Sequence, residues 1–211
     1  MKHIAIIGGT GSTGKEVVSL ALTAGYQITI VARNPLSIEP RNNLTVVAGD
    51  VTNPESLKNA FKDIDAVISC FGPANNIKAG NLMSAGTTNI VRACEANGVP
   101  RLVFMSGILQ STGSELGFFN RLGIRFIRLF LKGVYRDKII AEASIQESSL
   151  SWVILRAVGL SKSKPNGRYK AGIAIKVSPF TPLSYTDLAL CLIDAVEEHE
   201  WSKKIVNVGK A

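Results

Sequence analysis

Ile4-Ala5-Ile6-Ile7-Gly8-Gly9-Thr10-Gly11-Ser12-Thr13-Gly14 is a short apolar run that breaks into glycines and then into a helical pattern. Four apolar residues closed by glycine read as a strand buried on both faces. Residues Thr13 to Ala24 carry apolar side chains at helical spacing, and Gly25 is their stop. The glycines satisfy G-x-G-x-x-G from Gly9 and G-x-x-G-x-x-G from Gly8. A strand-to-helix turn that binds a dinucleotide needs them, because the chain must turn tightly and the backbone must approach a pyrophosphate closely. The helix N-terminus then supplies N–H groups and the positive end of a dipole. Gly8, Gly11 and Gly14 are read as the cofactor-binding glycines of this loop, and Thr10, Ser12 and Thr13 add hydroxyl donors.

Outward from this loop, strands and helices alternate. Gln27–Ala32 and Leu44–Ala48 read as strands, and Asn53-Pro54-Glu55 as a helix start with Asn53 as cap. Asp65–Cys70 reads as a fourth strand, Asn81–Ala96 as a long helix, and Arg101–Ser106 as a fifth strand. Further on come a helix near Asp137–Glu147, strands at Trp152–Leu155 and near Ile173–Val177, a helix near Thr186–Glu197 and a last strand near Ile205–Val208. Alternation of this kind gives right-handed βαβ units. The expected fold is α/β: a Rossmann-type, doubly wound parallel sheet with helices on both faces. Residues 1–211 are read as a single domain, with 108–135 as a lid or packing-helix insertion and 156–211 as a small substrate-side portion.

Composition is consistent with this. Of 211 residues, 46% are hydrophobic and 19% charged, enough for one core and too apolar for disorder. A net charge of +8 favours anionic partners, nucleotides among them. Cys70, Cys94 and Cys191 are odd in number and widely spaced, which reads as buried thiols in a reducing compartment. No signal peptide and no membrane span stand out, so a cytoplasmic protein is expected. His3 and His199 lack neighbours at ligand spacing, so no metal site is expected. No nucleic-acid motif accompanies the positive charge.

The second strand ends at Arg33, where an NAD-selective site usually has a carboxylate. A guanidinium can pair with a 2′-phosphate in two-pronged fashion, so NADP(H) is favoured over NAD(H). Asp50 and Val51, after the third strand, suit the adenine amino group and ring. Phe71 and Gly72, after the fourth, suit the cofactor's ribose side.

The chain resembles the atypical short-chain dehydrogenase/reductase superfamily. Within it, the chain is most similar to the NAD(P)H-binding group of flavin reductases and biliverdin-IXβ reductase, related to the NmrA-like proteins. The resemblance runs from Ile4 to Gly14 and through Ala24-Gly25-Tyr26, Gly49-Asp50-Val51 and Asp65-Ala66-Val67-Ile68. It continues through Met83-Ser84, Gly86, Asn89-Ile90-Val91, Gly98-Val99, Ser106 and Glu147–Trp152. It implies an NADPH-dependent reductase with the nicotinamide near the end of the fifth strand. Ser106 falls where these reductases carry a serine beside the nicotinamide. Lys138 falls where a basic residue heads the next helix. Val158-Gly159-Leu160 falls on the loop closing over the nicotinamide. Biliverdin reductases carry a histidine there, and Gly159 departs from it, which argues against tetrapyrrole reduction. The superfamily's Tyr-x-x-x-Lys pair is also missing: Tyr135 and Lys138 are separated by three positions, a different angle on a helix.

Flavins and quinones take hydride readily and a proton from water, so they ask little of the protein beyond stacking and positioning. Ser106 is read as a hydrogen-bond donor to the developing anion. The segment Phe118–Lys132 has helical spacing, with Arg121, Arg125, Arg128 and Lys132 as one basic stripe. Three readings apply to it: a membrane-interface helix, a lid over an aromatic substrate pocket hinged at Ser111–Ser114, or a packed helix with solvated cations. The expected function is hydride transfer from NADPH to a flavin, quinone or other small planar aromatic acceptor. The alternative is an NmrA-like NADP(H)-binding redox sensor or accessory protein without turnover.

Overall fold

The computed structural model describes residues 2–73, 80–111 and 118–211 and, within the helix 118–130, the side chains of 122–129. Its elements, in chain order, are β1 (His3–Ile7), α1 (Ser12–Thr23), β2 (Gln27–Ala32), β3 (Leu44–Ala48), α2 (Pro54–Ala60), β4 (Ala66–Ser69), α3 (Leu82–Ala96) and β5 (Arg101–Gly107). Then follow α4 (Phe118–Phe130), α5 (Lys132–Gln146), β6 (Ser151–Ala157), β7 (Leu160–Ser161), β8 (Tyr169–Gly172), β9 (Leu183–Ser184), α6 (Tyr185–Glu197) and β10 (Lys204–Lys210).

The main sheet has the order β3-β2-β1-β4-β5-β6-β10-β8. Every neighbouring pair is parallel except β10 with β8, which are antiparallel. The chain steps from β1 outward to β2 and β3, then crosses back to place β4 on the other side of β1. This reversal opens a crevice at the C-terminal ends of β1 and β4, where sheets of this kind bind ligands.

Alternation along the strands divides the core in two. Ile4 and Ile6 point to the layer of α1 and α6 with Val17, Ala21, Ile28, Leu188 and Leu192. Ala5 and Ile7 point to the layer of α2, α3 and α5 with Leu57, Phe61, Ile90, Phe104 and Ile145. Both faces are covered, which is why these strands are apolar at consecutive positions. Burying a side chain the size of Phe61 or Phe104 is worth roughly 1.5–3 kcal/mol. Arg101, nearly buried at the foot of β5, closes the far end of α6: it donates to the carbonyls of Ala195 and Glu198 at 2.6–3.1 Å and to Ser151 Oγ at 3.0 Å.

Two sequence expectations are corrected here. Ile173–Val177 is not a strand; the antiparallel edge strand is Tyr169–Gly172. The chain folds back after Gly172, where a Cβ would lie 2.8 Å from the Ile175 side chain. Ile175 and Val177 are apolar because they pack over the edge pair, with Val177 buried. Lys138 does not head its helix either, since the chain resumes a helix at Lys132, directly after Leu131.

Candidate functional site

The glycine loop is held by close approaches that only glycine permits. Gly8 has φ +78°, and a Cβ there would lie 2.9 Å from the backbone of Cys70 and Phe71. A Cβ on Gly14 would lie 2.1 Å from the Gly8 carbonyl oxygen. The first turn of α1 is therefore pressed onto the loop. No side chain caps α1, and its first backbone bond runs from Lys15 N–H to the Gly11 carbonyl at 2.9 Å. The N–H groups ahead of it have no partner within the helix and suit a bound phosphate.

From this helix end a cleft of about 470 Å³ runs across the strand ends. Gly11, Ser12 and Thr13 form one end, and Phe71, Gly72, Met83, Phe104 and Val158 are among its walls. Ser106, Lys138 and Tyr185 supply its polar groups. Of the residues expected from sequence, Gly11, Ser12, Thr13, Phe71, Gly72, Ser106, Lys138 and Val158 line it; Tyr185, Met83 and Phe104 are among the lining residues that the sequence reading did not place there. Gly159 does not line the cleft: its neighbours Val158 and Leu160 do, and a Cβ on Gly159 would face the Pro179 carbonyl at 3.4 Å. Thr10 faces the opposite side of the loop, into a groove shared with Lys15, Ser37 and Arg41.

The remaining expected cofactor contacts line up along the strand ends. Arg33 is exposed after β2. The Asp50 carboxylate accepts from Thr52 N and Thr52 Oγ1, both at 2.8 Å. These bonds, with a smaller contribution from Arg33, hold it below the usual carboxylate range. Val51 and Phe71 meet α3 at Gly86, where a Cβ would come within 2.9 Å of both side chains. Asn89 Nδ2 donates to the Val51 carbonyl at 2.9 Å and fixes that loop.

The cleft floor rests on a polar chain that the sequence reading missed. Ser106 and Arg156 are register partners on β5 and β6. Glu142 of α5, 2% exposed, reaches over both. Arg156 Nη2 lies 2.5 Å from Glu142 Oε2 and Nε lies 3.3 Å from Oε1. Ser106 Oγ donates to Glu142 Oε1 at 2.6 Å. The serine proton is thus directed at Glu142, a different use from the donation to substrate that was expected. Asp137 ties α5 to the head of α3: its carboxylate accepts from Met83 N and Ser84 N, both at 2.9 Å. Burial lowers the pKa of Lys138, against the opposing pull of Glu142 and Asp137. The audible signals were Arg156, a charge inside an apolar strand, and the four-residue spacing of Lys138 and Glu142.

The basic helix is only partly a solvated stripe. Ile124 is buried, whereas Leu122, Arg125, Phe126 and Leu129 are exposed. Arg128 turns inward, donating to the carbonyls of Leu109 and Ser111 and lying 4.8 Å from the Tyr135 ring centroid. Among the described residues, no cleft lining comes from α4. The expected hinge at Ser111–Ser114 lies outside the described residues beyond Ser111. Among the described residues, no helix is long and apolar enough to cross a membrane, and no group of three or more His, Cys, Asp or Glu side chains could hold a metal ion.

Comparison with known proteins agrees with this architecture. An uncharacterized chloroplastic protein of Arabidopsis thaliana is 30% identical over 178 residues, covering 79% of this chain and 62% of its own length. The chain spans about a third to three fifths of the length of the curated relatives it matches. The oxidoreductase YlbE of Lactococcus lactis superposes with a TM-score of 0.81 at 22% identity, over 99% of this chain and 91% of that one. A short-chain dehydrogenase/reductase of Veillonella parvula, solved in complex with NADP, gives 0.78 at 20% identity, over 99% and 94%. Residues 8–199 match the family described as NAD(P)H-binding, and the chain belongs to that family.

Proposed function

We propose that the protein is an NADPH-dependent reductase that passes hydride to a flavin, quinone or similar planar acceptor. One observation carries this reading: the cleft leads without interruption from the phosphate-binding end of α1 to Ser106 and Lys138, between the apolar walls of Phe71, Met83, Phe104 and Leu160. Apolar side chains lining a cleft beside a small set of polar groups suit stacked rings. NADPH, when bound, supplies a hydride from its nicotinamide and is left as NADP⁺. The glycine loop and α1 hold the phosphates, and Arg33 supplies charge for the 2′-phosphate. Lys138, an ammonium with a lowered pKa, supplies the proton that the reduced acceptor takes up.

The test is NADPH oxidation by purified protein against FMN, FAD, riboflavin, two quinones and biliverdin, with NADH as comparison and the uncatalysed rate subtracted. Saturable turnover with NADPH is expected. Tight NADPH binding without turnover on any acceptor would refute the reductase and favour a redox sensor. The commitment of the Ser106 proton to Glu142 and the position of Tyr135 beneath Arg128, away from the cleft lining, are the observations that favour that second reading.

A further inference from the structure

The chain Ser106–Glu142–Arg156 has fixed hydrogen-bond directions. A guanidinium only donates, so Glu142 is the acceptor in its buried pair with Arg156. Both Glu142 oxygens accept from Arg156, so in the 2.6 Å contact between Ser106 Oγ and Glu142 Oε1 the serine is the donor. The other acceptor near that hydroxyl, Gln110 Oε1, is neutral and lies at 3.5 Å, so Glu142 prevails. A serine hydroxyl has one proton and two lone pairs. With the proton spent, Ser106 offers the cleft lone pairs. Lys138, one helical turn before Glu142, lines the same cleft with donors alone.

We propose that Glu142 is a positioning residue that sets the hydrogen-bond polarity of the cleft floor. It makes Ser106 an acceptor and leaves Lys138 the donor, so the site selects ligands that present an N–H beside a carbonyl oxygen. This rests on the reductase reading above and narrows it. An imide or lactam edge carries both groups. A simple quinone carries carbonyl oxygens alone and leaves Ser106 facing another acceptor.

The test uses binding, so turnover is not needed. Lumiflavin and 3-methyllumiflavin differ only in N–H against N–CH₃ at one ring position. Their dissociation constants for the full chain saturated with NADP⁺ are read from quenching of flavin fluorescence. Menadione is measured by displacement of lumiflavin. One hydrogen bond predicts that lumiflavin binds about fivefold more tightly than its methyl analogue. Ser106→Ala should bring that ratio to about one. In Glu142→Gln, the amide oxygen is held by Arg156, so the amide nitrogen donates to Ser106 Oγ and the serine proton turns into the cleft. The ratio should then fall to about one, and menadione should bind several-fold more tightly than to the wild type. A purely steric effect of the methyl group would survive Glu142→Gln unchanged.

A ratio near one in the wild type overturns the proposal, as does a ratio that Glu142→Gln leaves intact. Should Glu142→Gln fail to fold, Ser106→Ala decides: a preference of full size in that variant overturns it. Flavin binding without discrimination removes this inference alone. Absence of flavin binding and of turnover removes the reductase reading with it.

Discussion

Gly14→Ala sets a gain against a larger loss. Gly14 lies in the first turn of α1, where alanine is favoured over glycine by about 1 kcal/mol from helix propensity. Against this, the new Cβ would stand 2.1 Å from the Gly8 carbonyl oxygen and 2.8 Å from Gly8 C and Gly9 Cα. All three neighbours are backbone, so no side chain can swing aside. Reaching an ordinary contact needs a displacement of about 1 Å between helix and loop. Overpacking of this kind costs about 1–3 kcal/mol, so stability should fall by up to about 2 kcal/mol. In a chain of this size, that lowers Tm by up to roughly 8 °C. Cofactor affinity should suffer more, because the displaced groups are the ones proposed above to donate to the pyrophosphate. Two misdirected charge-assisted bonds, at about 1.5–3 kcal/mol each, predict at least a hundredfold rise in Kd for NADPH. Gly11→Ala is the comparison for the stability part alone: its Cβ would meet only the Gly8 carbonyl oxygen, at 3.3 Å, so its melting temperature should fall far less. Thermal melts and titration of NADPH fluorescence measure both variants. A Gly14→Ala protein that binds NADPH within threefold of the wild type would refute the argument.

Arg33→Ala should raise Kd for NADPH by about 10- to 100-fold and for NADH by less than threefold, as one charge-assisted contact predicts; equal losses in a parallel titration would remove Arg33 from the 2′-phosphate. Glu142→Ala strips Arg156 of its buried carboxylate and should cost about 3–5 kcal/mol in urea unfolding; a loss under 1 kcal/mol would contradict the buried pair. Turnover should decline as pH rises through a Lys138 pKa lying below lysine's ordinary 10.5, and Lys138→Met should abolish that limb of the profile. Asp50 is held below its ordinary carboxylate range, so the stability it adds is fully present above its unfolded pKa, about 3.9, and is lost as pH falls through the lower folded value. Thr52→Ala removes the hydroxyl contact and keeps the backbone one, so it should weaken that acid limb of the melting profile without abolishing it, and an unchanged slope would exclude the Thr52 Oγ1 contact as a contributor.

The glycine run and the apolar strands were readable from sequence because each encodes its own geometry. A continuous apolar strand implies two covering layers, and Gly8 and Gly14 imply a close approach. The helix start at Asn53-Pro54 was readable for the same reason, with Asn53 Oδ1 accepting from Glu55 N at 3.2 Å. Errors arose where residues depend on distant partners. Ile175 and Val177 look like strand residues but are apolar because they cover the β8–β10 edge. The cleft floor was half readable. Ser106 and Lys138 were named through family likeness, but Glu142 and Arg156 acquire meaning only from the β5–β6 register and the seating of α5. Asp137 was unreadable for a similar reason, since its partners lie on another helix, more than fifty residues earlier in the chain. Arg128 looked like one of four equivalent cations until packing gave it two carbonyl partners.

The three cysteines give the molecule internal clocks. Cys94 lies in the layer of α3, whereas Cys191 and, just past the end of β4, Cys70 lie in that of α6. Burial pushes the Cys70 thiol up to about 12 and raises the other two further, so none is a thiolate in the closed protein at neutral pH. Modification by a thiol reagent therefore waits for an opening. If Cys94 and Cys191 are labelled at the same rate, the two layers part in a single event. If Cys191 reacts first, the α6 layer peels from the sheet on its own, and the difference in rate gives the free energy that separates partial from complete opening.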